Sequence, residues 1–169
     1  MSKPTTYLDT SIISAYWYEG ADVTLLTRRL HTREWWEAER QHCTLWASAF
    51  VEAELRAGVF ARQDECGRMV RRLRYLSISA EVTMVKNRLL ERGLVPPNKP
   101  GDAAHLAITA VHGVDYLLTW NYAHMANPSS QRRFERLCDE MGLVAPLMVS
   151  PESIPQIRFG QTLRRSPRS

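Results

Sequence analysis

The stretch TTYLDTSIIS, residues 5–14, decides how the rest of the chain is read. Thr5 to Leu8 is a short β-prone run entered directly from the N-terminus. Asp9, Thr10 and Ser11 then supply a turn and a helix cap before Ile12 to Tyr18. A strand that passes straight into a capped helix puts Asp9 at the strand's carboxyl end, which in an open parallel sheet is the edge where ligands collect.

Outward from this unit the same strand-to-helix grammar recurs. A helical pattern runs from about Leu25 to Arg40, and Thr44 to Ala47 is an apolar run leading into Ser48, a good cap. Arg62 to Tyr75 reads as a basic helix, Leu76 to Ile78 as a short strand, and Glu81 to Arg92 as a helix that Gly93 ends. After the loop VPPNKPG (95–101), an almost wholly apolar helix spans Gly101 to His112 and stops at Gly113. Tyr116 to Leu118 is a strand running into Thr119, Trp120 and Asn121. Asn127 caps a helix to about Met141, and Leu147 to Val149 forms the last strand. Strands alternating with helices predict an α/β fold with a mostly parallel central sheet covered on both faces. Residues 1–150 make this domain, and 151–169 an irregular basic tail carrying Arg158, Arg164, Arg165 and Arg168.

Composition agrees with one globular domain. The 169 residues suffice for a core without disulfides, and the 44% hydrophobic and 24% charged fractions exclude disordered, collagen-like and coiled-coil classes. A net charge of +4 suits a polyanionic partner and equally a solubilising surface. Cys43, Cys66 and Cys138 lack the spacing of a disulfide framework or zinc site, which fits a reducing cytoplasm. Neither a signal peptide nor a run of roughly 18 apolar residues, the length a membrane span requires, is found.

The polar residues that this reading brings to the strand ends are Asp9, Glu54, Asp102 and Asn121. Carboxylates from separate strand ends are what magnesium or manganese requires, because these hard cations take oxygen donors. On a helix beginning at Ser48, Glu54 shares the apolar face with Phe50 and Val51, whereas Glu52 lies about 160° away. Only Glu54 then points inward, where it needs a metal or a basic partner. Each position has a plainer explanation too. Asp9 and Asp102 suit helix caps, Asn121 a turn, and Thr10, Ser11 and Thr119 read first as turn and cap residues. His105, one turn from Asp102, reads as a satisfied core histidine or as a hydrogen-bond partner to a ligand, and His124 as an exposed loop residue.

Three blocks, YLDTSIIS, SAFVEAEL and GDAAHLAITAVHGVDYLLTWN, resemble the motifs of PIN-domain proteins, and most nearly VapC-type toxins of bacterial toxin–antitoxin pairs. The resemblance spans roughly Thr5 to Val149. It implies a PIN-like three-layer sandwich and a magnesium- or manganese-dependent ribonuclease whose metal ligands are Asp9, Glu54 and Asp102. Asn121 stands where the family often has a fourth acid, so a second metal would bind less readily. The resemblance further implies RNA as substrate, a small antitoxin as partner, and a homodimer or toxin–antitoxin hetero-oligomer in the cytoplasm.

Arg68, Arg71, Arg72 and Arg74 offer a basic track for RNA or a solvated helix face. If the helix from Leu25 is continuous, Leu26, Leu30 and Trp36 share one face and Trp35 is left exposed for a partner; a kink near Thr32 would bury both tryptophans instead. Two rival readings stand beside the nuclease. One is a PIN-like module that binds without cutting. The other is a haloacid-dehalogenase-like phosphatase, which wants an acid where this chain has Ser11.

Overall fold

The computed structural model describes residues 2–153. β1 (Thr5–Leu8) leads into α1 (Thr10–Tyr16) and α2 (Val23–Glu39), and a 3-10 turn at Arg40–His42 precedes β2 (Thr44–Ala47). Next come α3 (Ala49–Ala57), α4 (Gln63–Arg71), β3 (Arg74–Tyr75) and α5 (Ala80–Glu91). The chain then forms α6 (Pro100–Val111), β4 (Tyr116–Leu118), α7 (Pro128–Glu140) and β5 (Leu147–Val149). The strands form one sheet in the order β3-β2-β1-β4-β5, with every pairing parallel. The sequence reading of a mostly parallel sheet is thereby sharpened to a wholly parallel one.

Local chemistry accounts for most boundaries. Asp9, Asp22, Ser48, Ser79 and Asn127 each accept a backbone N–H at the start of a helix. Gly93, Gly113 and Gly142 follow the ends of α5, α6 and α7 with φ of 63°, 61° and 69°, a left-handed conformation that terminates a helix at little cost only in glycine. Buried β1 and β4 residues, the nearly all-buried α6, and the inward residues of α3, α5 and α7 share one core.

Two expectations are corrected. Leu76 to Ile78 is not a strand: α4 ends at Arg71, and the edge pairing falls on Arg74–Tyr75, continued by a Leu76 N–H to Ala47 carbonyl bond of 2.9 Å. An exposed edge strand of two residues carries no apolar alternation, so the Leu-Ser-Ile pattern attracted the assignment instead. Trp35 is not exposed. α2 is one helix from Val23 to Glu39, Trp35 keeps only 3% of its surface, and Leu30 keeps 55%. The helix turns inward the face centred on Thr32, where the Trp120 indole donates to the Thr32 hydroxyl (2.8 Å), which donates to the Arg28 carbonyl (2.7 Å). Trp35 on this face joins the core, and the polar contact at Thr32, invisible to hydrophobic periodicity, fits the same rotation of α2. The basic tail beyond residue 153 lies outside the described residues.

Candidate active site

β1 is central, and the chain leaves it in one direction across the sheet to β2 and β3 and in the other to β4 and β5. The crevice at the carboxyl ends of β1 and β4 is therefore the topological switch point of the sheet. Asp9 and Thr119 stand at those two strand ends, with Asn121 just beyond.

Asp9 is buried and held at both carboxylate oxygens. Ser11 Oγ donates to Oδ1 (2.5 Å) and Thr119 Oγ1 to Oδ2 (2.6 Å). Each hydroxyl is itself oriented by a backbone donor, the Trp120 N–H for Ser11 and the Asn121 N–H for Thr119, both at 2.9 Å. Burial pushes the Asp9 carboxyl above its ordinary pKa and Glu54 adds to this, while His105 and the two hydroxyls oppose it.

Glu54 sits on α3 and reaches toward α6. Its Oε2 accepts from the Thr10 hydroxyl and from His105 Nε2, the latter at 3.2 Å. Its side chain keeps 37% exposure against 18% for Glu52, so Glu54 lies at the mouth of the site rather than in the core. Glu52 is the more covered of the two because Arg56, Arg71 and Tyr75 surround it. Burial raises the Glu54 pKa, yet the His105 and Thr10 contacts outweigh it and hold the carboxyl below its ordinary value.

His105 is buried among the acids. Burial disfavours its cation, but the hydrogen bond and charge of Glu54, with the charges of Asp9 and Asp102, leave its pKa raised. All three acids therefore act on one imidazole. Its Nδ1 is 2.8 Å from the Tyr7 hydroxyl, which is 2.7 Å from Ser48 Oγ.

Asp102 lies in the first turn of α6, three positions after the N-cap residue Lys99, so it is no cap. Its Oδ2 accepts from Asn121 Nδ2 at 2.9 Å. The Asn121 orientation is fixed twice over: a carboxylate can only accept, and Asn121 Oδ1 accepts the His124 N–H at 3.1 Å. Asn121 thus restrains Asp102 as a donor, with its oxygen turned away. His124 enters this network through its backbone alone.

The structure gathers all four sequence candidates at one end of the sheet. As arranged, no three His, Cys, Asp or Glu side chains among the described residues stand close enough together to hold a metal ion. Both oxygens of Asp9, Oε2 of Glu54 and Oδ2 of Asp102 are engaged by hydroxyl, imidazole and amide donors instead. The donor set is nevertheless the oxygen type that magnesium or manganese takes, and Glu54 Oε1 lies over Gly101, where a Cβ would collide with it. Sequence reading ranked Thr10, Ser11 and Thr119 as turn and cap residues, whereas each donates to a site carboxylate. It missed Tyr7, Gly101 and the site role of Ser48. The period-two alternation of β1, which sends Tyr7 to the face opposite Thr6 and Leu8, was the available signal for the first.

The arginine track is partly neutralised, since Arg68 and Arg71 lie 3.5 and 3.7 Å from Glu65 and Glu52. Beside Ser11, a groove is lined by Leu25, Val59, Phe60 and Trp120 together with Arg28 and Arg62. The three cysteines are buried and form no disulfide among the described residues, and no described helix is long and apolar enough to cross a membrane.

No family model and no curated protein matches the sequence. Among solved structures, a chain of VapBC2 from Rickettsia felis, bound to a DNA fragment from their promoter, is similar with a TM-score of 0.55. The identity is 17%, over 86% of this chain and 98% of that one. At that identity the likeness is one of fold: the chain has the PIN-like α/β sandwich that its motif blocks imply.

Proposed function

We propose that the protein is a magnesium- or manganese-dependent endoribonuclease, the toxin of a toxin–antitoxin pair. The observation that carries this reading is the delivery of Asp9, Glu54 and Asp102 from three separate elements to the same end of the sheet, each held there by its own side-chain donors. Asp9, Glu54 and Asp102 would hold the cation, which when bound supplies charge neutralisation at the scissile phosphate and an activated water. This chain's own residues do the rest. Ser11 and Thr119 hold Asp9 against rotation, Thr10 and His105 hold Glu54, and Asn121 holds Asp102. Donors of this kind fix the orientation of ligand carboxylates and lower the ordering cost of cation binding.

The partner in this reading is a small antitoxin, in keeping with the paired complex whose fold this chain shares. The groove beside Ser11 fits an amphipathic segment that would lay apolar side chains on Leu25, Val59 and Phe60 and an acidic one on Arg28, Arg62 being paired with Glu19 and Glu65. Homodimerisation and a cytoplasmic location complete the proposal. The rival binding-only module draws support from Asn121, which adds no charge and turns its oxygen away.

The deciding experiment is cleavage of single-stranded RNA by purified protein with magnesium or manganese, with chelator, and as Asp9→Asn. Loss of activity in the last two bears the reading out. Equal activity of the variant would sink the site, and no cleavage by wild type with either metal would favour the binding-only module.

A further inference from the structure

A hydrogen-bonded chain of the buried Ser48, Tyr7 and His105 and the part-exposed Glu54 crosses from the N-terminus of α3, over the middle of β1, to α6 and back to α3. Ser48 Oγ accepts the Phe50 N–H at 3.2 Å, so one end of the chain is tied to backbone. At the other end His105 Nε2 carries its hydrogen in either charge state, because the Glu54 carboxylate can only accept. The Tyr7 and Ser48 hydroxyls rotate to serve Nδ1 whether it donates or accepts, and burial keeps Tyr7 a neutral hydroxyl. Together with Thr10, this gives Glu54 Oε2 two donors. Among the described residues nothing donates to Oε1, which occupies the space left by the missing side chain of Gly101.

We infer that Tyr7 and His105 are positioning residues for Glu54, locking its Oε2 so that Oε1 alone is presented over Gly101 as the ligand oxygen. This rests on the metal-site reading above. Hydrogen-bond partners of metal-ligating carboxylates restrict rotamers and thereby lower the ordering cost of binding, and their loss typically weakens metal affinity by roughly 10- to 100-fold.

The test is manganese binding by isothermal titration calorimetry on the full chain, which needs no RNA and no turnover. Glu54→Gln reports on the metal site itself. His105→Leu and Tyr7→Phe report on the positioning chain, with thermal melts to exclude unfolded samples. His105→Gln returns an amide donor near the Nε2 position. The expected result is a roughly 10- to 100-fold loss in His105→Leu, about tenfold in Tyr7→Phe, and recovery of much of it in His105→Gln. If Glu54→Gln weakens binding while folded His105→Leu and Tyr7→Phe bind as wild type, the positioning inference is overturned and the metal site survives. Wild-type affinity in folded Glu54→Gln would overturn both. Should His105→Leu fail to fold, Tyr7→Phe, which removes one oxygen and keeps the ring, decides alone.

Discussion

Gly101 leaves open the space that Glu54 Oε1 occupies; a Cβ at that position would run into the carboxylate oxygen. The clash is with the end of a side chain that is hydrogen-bonded through Oε2 alone, so Oε1 can give way at the cost of those bonds, and residue 101 lies within the first turn of α6. Gly101→Ala is therefore expected to fold, gaining up to about 1 kcal/mol from helix propensity. It is also expected to lose roughly 100-fold in RNA cleavage through displacement of a ligand oxygen. Denaturant melts and initial rates on the same sample check this, and full activity would show that the position of Oε1 is immaterial.

Asp9 is buried with a raised pKa, so between its ordinary value of 3.8 and its folded value the native state holds more protons than the unfolded one. Stability contributed there is lost as pH rises through the folded value. Asp9→Asn removes the buried charge and should be at least as resistant to urea as the metal-free wild type at neutral pH. Cleavage should fall by at least ~100-fold. A variant markedly less stable than wild type would mean that the Ser11 and Thr119 hydroxyls outweigh the desolvation of Asp9.

The His105–Glu54 pair gives a pH window with both edges set by sign. His105, raised, contributes stability fully below 6.5 and loses it as pH climbs through its folded value; Glu54, lowered, contributes above 4.5 and loses it as pH drops through its own. The stability difference between wild type and His105→Gln is expected to be largest between those two values. Urea titrations from acid to alkaline pH measure it, and a flat difference would contradict the pairing.

Asn121→Asp sets a second carboxylate against Asp102 in place of the present amide donor. The metal-free variant should melt below wild type, and manganese should raise its melting temperature by more than it raises that of wild type, since the added charge favours the cation. Calorimetric scans with and without manganese read both effects. Equal metal-induced shifts would rule out a ligand role for an acid at this position.

Thr32→Val conserves shape and deletes the acceptor for the buried Trp120 indole N–H. The unsatisfied donor is expected to cost about 1–3 kcal/mol, read by chemical denaturation. A neutral result would show that Trp120, and not Thr32, governs the docking of α2.

What the sequence alone determined here was most of the order of elements and which polar residues come to the carboxyl end of the sheet. Caps at Asp9, Ser48 and Asn127, stops at Gly93 and Gly113, and the apolar run of α6 are local signals, because capping and helix termination involve residues only a few positions apart. Asp9, Glu54, Asp102 and Asn121 were legible for the same reason, each standing at a recognisable junction in a resembling motif. Tertiary structure decided what holds them. The inward face of α2 meets Trp120 through Thr32, 88 positions apart, and the restraint of Glu54 depends on His105, 51 positions away, and on Thr10. Hydroxyls and an imidazole look the same in a turn, a core or a site until folding shows which buried carboxylate they must satisfy. The direction of Asn121 was settled likewise, by two partners that a linear reading cannot bring together.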